Sequence, residues 1–152
     1  MKLMRSIVVY ILLLLFIPVV RAAEGVINIG SGLPAEENQK VILTRAQLVS
    51  ILMSQRTFWD NGIKITIFLL PRDNIATKEF LIRLGIPPNA YFDSISGQYS
   101  SGKSNVPTVL QTDISMLLNV GNTVGSIGYV NGSGLIEMVP TIRPIQITEP
   151  KK

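Results

Sequence analysis

The chain contains no cysteine and no histidine among its 152 residues. Without cysteine it can build no disulfide framework and offers no thiol for a lipid anchor, so an exported fold must hold by its core alone. Without histidine, imidazole acid–base catalysis and His-ligated zinc are excluded. Charge is scarce too: Asp, Glu, Lys and Arg make up 16% of the residues, against 47% apolar ones. That balance looks membrane-like, but much of the excess sits in one run, Ile7 to Val20, of 14 residues. A spanning helix needs roughly 20 apolar residues, and Pro18 interrupts this run.

The run has the flanks of a secretory signal. Lys2 and Arg5 precede it, and Val20-Arg21-Ala22 follows, with a small apolar residue at −3 and Ala at −1 of a cut after Ala22. Residues 1–22 are therefore expected to be a signal peptide, exported and cleaved, and residues 23–152 a single periplasmic domain. Removing 22 residues from 152 leaves 130 and takes Lys2, Arg5 and Arg21 away. The 14 basic residues fall to 11 against 10 acidic ones, a net charge of about +1. The sequence pI of about 9.6 thus belongs largely to the leader. No dense basic patch is left to grip nucleic acid. A chain of that length can bury one core without staples.

Strand-like and helix-like runs alternate through the rest. Val26 to Ile29 is β-rich and is closed by Gly30-Ser31-Gly32 and Pro34; Ala35 to Lys40 is polar. Val41 to Leu43 leads to Thr44, an N-cap for an amphipathic helix with Leu48, Ile51, Leu52 and Gln55 near one face. Phe58 to Gly62 ends it, Phe58 and Trp59 reading as core residues and Asn61-Gly62 as a turn. Ile63 to Leu70 reads as a strand buried on both faces. Pro71 stops it, and Asp73 or Asn74 caps a second helix striped by Phe80, Leu81 and Leu84, with Gly85 at its C-terminus. Asn89 to Ile95 is a short helix, Ser96 to Pro107 a polar loop, and Val109-Leu110 a short strand. Asp113 caps a helix over Ile114 to Val120, ended by Gly121. Ser126 to Val130 and Leu135 to Val139 are strands around the turn Asn131 to Gly134. Ile142 to Ile147, broken by Pro144, fits a sheet edge. Strands alternating with helices predict an α/β domain.

Four segments, in order, carry a resemblance. Leu43-Thr44-x-x-Gln47-Leu48-x-x-Ile51 precedes Phe58-Trp59-x-x-Gly62. The run Ile65-Thr66-Ile67 leads to Pro71-Arg72-Asp73 and a helix with Phe80. Gly102-Lys103 precedes Pro107. The last is Val124-Gly125-Ser126-Ile127-Gly128-Tyr129-Val130. Together they resemble one lobe of a type II periplasmic solute-binding protein of the phosphate-binding subgroup, over residues 26–147. The resemblance implies one lobe of a periplasmic-binding-protein-like fold, with a mainly parallel central sheet flanked by helices. It implies solute binding for an ABC transport system, with phosphate or a similar small oxyanion as ligand, no cofactor and no enzymatic activity. It places the anion at Arg72, Asp73, Asn74 and Thr77. That family's loop reads R-S-D-G-S-G-T; here Arg72-Asp73-Asn74-Ile75-Ala76-Thr77 lacks the Ser-Gly pair, and Thr77 aligns only across a one-residue deletion.

Physical chemistry allows an anion at this place, since a helix N-terminus presents unpaired N–H groups and Arg72 adds a forked donor. The same residues also read as an ordinary N-cap beside a solvated arginine. A lobe that has lost its ligand loop would serve instead as an adaptor for a protein partner in a cell-envelope assembly.

Gly97-Gln98-Tyr99-Ser100-Ser101-Gly102-Lys103-Ser104 fits the nucleotide phosphate-loop pattern G-x-x-x-x-G-K-S. That pattern requires a strand before it and a helix after it. Pro107 sits where the helix would begin and disfavours it, so no nucleotide partner is expected. Asp60, Asp73, Glu79, Asp93 and Asp113 are scattered and read as caps or surface charges. Ser94, Ser96, Ser100 and Ser101 have no histidine to activate them.

Overall fold

Helices in this chain begin where a side chain can replace a missing backbone acceptor. Thr44 takes the Gln47 amide on its Oγ1 at 3.2 Å, while the Gln47 side chain takes the Thr44 amide at 2.8 Å. Thr112 and Ser115 form the same reciprocal box. Asn74 takes the Ala76 amide at 2.8 Å. Each cap satisfies donors that no helical carbonyl can reach. A fourth helix starts on Pro88, whose fixed φ suits a first turn.

A computed structural model describes residues 27–32, 41–103, 105–132 and 135–149. The proposed leader, the stretch from Ala35 to Lys40, and Ser133-Gly134 of the turn lie outside the described residues. In chain order the elements are β1 (Ile27–Ser31), β2 (Val41–Thr44), α1 (Arg45–Leu52), β3 (Thr66–Leu69), α2 (Ile75–Arg83), α3 (Pro88–Ser100), β4 (Thr108–Val109), α4 (Asp113–Asn122), β5 (Ser126–Asn131), a 3-10 turn (Ile136–Met138) and β6 (Arg143–Thr148).

The six strands form one sheet in the order β2-β6-β1-β5-β3-β4. Three pairings are parallel, β2 with β6, β3 with β4 and β3 with β5. β1 runs antiparallel to both of its neighbours. Five strands therefore point one way, and the sheet is mainly parallel as the sequence predicts. Successive residues of a strand face opposite sides, and β5 shows both layers. Tyr129 stacks on Phe80 of α2 with ring centroids 4.3 Å apart. On the other side, a Cβ at Gly128 would meet Met116 and Val120 of α4 at 2.5 Å. Helices cover both faces, with the core between: Leu69, Leu81, Val130 and Ile127 are among its fully buried members.

The expected helix faces hold. Leu48, Ile51 and Leu52 are buried on α1, as are Phe80, Leu81 and Leu84 at α2, which ends on Gly85 at φ 74°. Trp59 is buried and donates its Nε1–H to the Gly125 carbonyl at 2.9 Å.

Other expectations are corrected. Val41 to Thr44 is itself a strand, paired to β6, rather than a lead-in. Regular pairing in β3 starts only at Thr66, because residues 57–65 fold back on themselves: the Trp59 amide bonds the Ile63 carbonyl and the Ile65 amide the Thr57 carbonyl. Phe58 is on the outside of that fold-back, exposed to 55%. Gln55 lies beyond the end of α1.

The supposed loop from Ser96 is helix as far as Ser100. Ser96 and Ser100 turn their hydroxyls onto the carbonyls of Phe92 and Ser96, one helical turn back, so polarity there does not open the helix. α4 is capped by Thr112, not Asp113, and continues through Gly121 to Asn122. Ile136–Met138 is a 3-10 turn instead of a strand.

β6 is interior, not an edge. It accepts Pro144 because its pairing with β1 is only two residues long, Gly30 and Ser31 against Pro144 and Arg143, while β2 pairs along four.

Gly128→Ala should overpack the contact with α4 and cost about 1–3 kcal/mol. Gly97→Ala has open space on α3 and should gain about 0.5–1 kcal/mol from helix propensity. Urea unfolding followed by circular dichroism reads both, and equal midpoints would contradict this packing.

Candidate functional site

β3 delivers its chain to the sheet's carboxyl edge, and there the turn to α2 begins. Pro71 ends the strand, and the Asn74 amide bonds the Pro71 carbonyl at 3.0 Å, closing a tight turn around Arg72 and Asp73. Asn74 then caps α2. The turn points three of the four sequence-predicted residues, Arg72, Asp73 and Asn74, toward one rim. Arg72 and Asp73 are exposed and Asn74 is half-buried.

Arg72 does not stand alone. Its guanidinium meets the Asp93 carboxylate at 2.5 Å and lies over the Phe92 ring, 5.5 Å from the centroid. Both partners belong to α3, so the arginine bridges the turn to that helix. The pair is open to water, with side-chain exposures of 45% and 70%, and is worth under about 1 kcal/mol. A ligand would compete with a weak bond.

Thr77 is elsewhere. It is fully buried, and its hydroxyl shares a 2.8 Å hydrogen bond with the Tyr129 hydroxyl. The same phenol oxygen accepts the Leu70 amide at 3.1 Å. The threonine side chain therefore faces the core, and only its first-turn amide lies at the helix mouth. The first-turn amides of Ile75 and Thr77 have no intrahelical acceptor, by the geometry of any α-helix.

Tyr129 is the residue the sequence reading did not single out. Its motif was visible, but nothing in the order of letters says that a tyrosine in the middle of β5 reaches the end of β3. Burial pushes its pKa up to about 12; the bonds from Thr77 and Leu70 pull partly back, and Asp113 pushes it further up. Burial, and secondarily Tyr129, raises Tyr91 as well. Asp93 was visible only as one of several scattered acids, because its partner is 21 positions away. Asp113 sits in the first turn of α4, where negative charge suits the helix end, with one carboxylate oxygen buried and without a hydrogen-bond partner.

Gly97 to Ser100 form the last turn of α3, and Gly102 and Lys103 return their amides to the Tyr99 and Gln98 carbonyls. A helix ends where a phosphate loop would need one to start. Among the described residues, no group of three or more acidic, histidine or cysteine side chains is placed to hold a metal.

The sequence matches no protein-family model and no curated protein. The structure does find likenesses. An ABC-type phosphate transport receptor from Vibrio cholerae superposes with a TM-score of 0.54 at 18% identity, over 81% of this chain and 46% of that one. PstS from Borrelia burgdorferi superposes with 0.56 at 14% identity, over 84% of this chain and 49% of that one. The chain has the fold of one lobe of a periplasmic binding protein. It spans less than half the length of either receptor. At these identities the likeness is one of fold; this chain's own strand order puts the β3–α2 turn at the carboxyl edge of a mainly parallel sheet.

The buried phenols make stability depend on alkaline pH. The folded pKa of Tyr129 lies above the ordinary value of 10.0, at about 12. Its contribution is complete below pH 10 and is lost as pH rises through 10 to 12, where the unfolded chain gives up the proton first. Denaturation midpoints should hold level from neutral pH to about pH 9.5 and then fall, with Tyr129→Phe flattening the fall. A wild-type midpoint that does not move by pH 12 would contradict the burial.

Proposed function

We propose that this chain is the solute-binding lobe of an extracytoplasmic ABC-type transport receptor. It takes phosphate or a similar small oxyanion at the β3–α2 turn. It binds and does not catalyse. The observation that carries the reading is the coincidence of Arg72 with the free first-turn amides of α2 at the carboxyl edge of the sheet. Phosphate receptors as the fold's structural neighbours support it.

In this reading Arg72 supplies the charge-assisted donor. Asn74 holds the helix end open by occupying only the Ala76 amide, and Thr77 and Ile75 contribute backbone N–H groups. Asp73 stands beside the turn as an acceptor for a protonated oxygen of the ligand. The lobe works outside the cytoplasm, delivered by residues 1–22 acting as a cleaved Sec signal with the cut after Ala22.

A second reading, an adaptor in an envelope assembly, is favoured by one observation. The outer side of α4 exposes Ile114 and Leu118, one helical turn apart, where a solute receptor gains nothing from apolar surface.

Calorimetric titration with phosphate separates the two. The receptor reading expects saturable heat with a Kd of about 1 mM or tighter, lost by about tenfold or more in Arg72→Ala. Asp93→Asn, which frees the arginine, should tighten binding about threefold, the scale of one exposed ion pair. A flat trace at about 10 mM phosphate, or binding indifferent to Arg72, sinks the receptor reading.

A further inference from the structure

Two Asn-Gly pairs occur in the sequence, Asn61-Gly62 and Asn131-Gly132. The peptide bond inside such a pair is open to attack from within the chain. Glycine carries no side chain to screen its nitrogen from the carboxamide carbon of the asparagine before it. The fold treats the two pairs differently.

Asn61 lies at the tip of the fold-back that precedes β3. Asn61 and Gly62 are both exposed. Gly62 takes φ 81°, and a Cβ there would meet nothing within 4 Å. The Asn61 Oδ1 accepts the Ile63 amide at 3.1 Å. An asparagine oxygen bonded to the amide two residues on makes an Asx turn. That turn folds the carboxamide back over the Asn61–Gly62 peptide and brings its carbon toward the Gly62 nitrogen. The bond from Ile63 also draws electron density from the carbon that is attacked. Holding two reacting groups of one chain together turns a slow encounter into an intramolecular step. The nucleophile is restrained by the bond from the Gly62 amide to the Trp59 carbonyl, 2.9 Å long, in an exposed turn where opening costs little. Asn131 stands otherwise. It is the last residue of β5, half-buried and paired with Ile27 of β1, so its backbone is held extended in a ladder.

We propose that Asn61 is a site of spontaneous deamidation, which converts it to a mixture of aspartate and isoaspartate. The Gly62 nitrogen bonds to the Asn61 Cγ and gives up its proton. The Cγ–Nδ2 bond breaks, and ammonia leaves with that proton. Water then opens the cyclic imide at either carbonyl. One water is consumed, one ammonia is released, and nothing is oxidised or reduced. Both products place a new negative charge beside Asp60, which already pairs with Arg56 at 2.8 Å. The aspartate keeps an acceptor for the Ile63 amide. The isoaspartate adds a methylene to the main chain between Trp59 and Ile63, whose 2.8 Å bond closes the fold-back, and so puts that bond out of register. The site lies at the amino end of β3 and does not depend on the β3–α2 turn.

Incubation of the folded protein in mildly alkaline buffer, followed by peptide mass mapping, tests it. The peptide holding Asn61 should exchange NH for oxygen about tenfold or more faster than the peptide holding Asn131, which the strand protects. In urea, where both pairs are released from the fold, the two rates should meet. Asn61→Gln, whose longer side chain closes the ring poorly, should leave its peptide unchanged and remove the acidic form from an ion-exchange profile. Conversion at Asn131 as fast as at Asn61 in the folded protein, or an Asn61 that converts only in urea, overturns the proposal.

Discussion

The position of the β3–α2 turn depends on one phenol. Tyr129 leaves the middle of β5, stacks its ring on Phe80 of α2 and brings its hydroxyl to two buried polar groups, the Leu70 amide and the Thr77 hydroxyl. Leu70 and Thr77 bracket the turn that carries Arg72, Asp73 and Asn74. Leu70 is fully buried and lies just past the last residue of β3, so without the tyrosine its N–H would be a buried donor with no acceptor, a cost of about 1–3 kcal/mol. One side chain thus closes the hydrogen-bond account of a strand end and a helix start together. What sits between them cannot move without breaking a bond inside the core.

The sheet arrangement gives that pin its use. β3 and its neighbours β4 and β5 run the same way, and α2 and α4 both begin just beyond the carboxyl ends of strands in this group, on capped first turns. Their positive ends collect on one rim. The lobe is therefore polarised by its topology, before any charged side chain is counted. Arg72 stands beside those positive ends and is held there by the Asp93 carboxylate of α3.

Sequence reading recovered what local rules decide and missed what distance decides. Thr44 marked the start of its helix, Gly85 its helix end, and Ser126 to Val130 its strand, because each depends on neighbours within a turn. α3 was cut short at Ile95 since serines and a glycine mimic a loop; their hydroxyls in fact bond back along the helix. Pro144 suggested an edge, and only the brevity of the β1–β6 pairing beside it shows how an interior strand keeps a proline. At the site, Arg72 and Asn74 were legible as an arginine before a cap. The burial of Thr77, the phenol above it and the pull of Asp93 on Arg72 involve partners 21 to 59 positions apart. No spacing pattern encodes those.

Hydrogen exchange at the Leu70 amide tests the central claim most directly. If the Tyr129 hydroxyl is its acceptor and the pin of the turn, this amide should exchange only through global unfolding, as slowly as those in the middle of β5. In Tyr129→Phe it should open locally, faster than the rest of the sheet. A Leu70 amide that exchanges in the native protein at the rate of the exposed turn residues Arg72 and Asp73 would contradict the account.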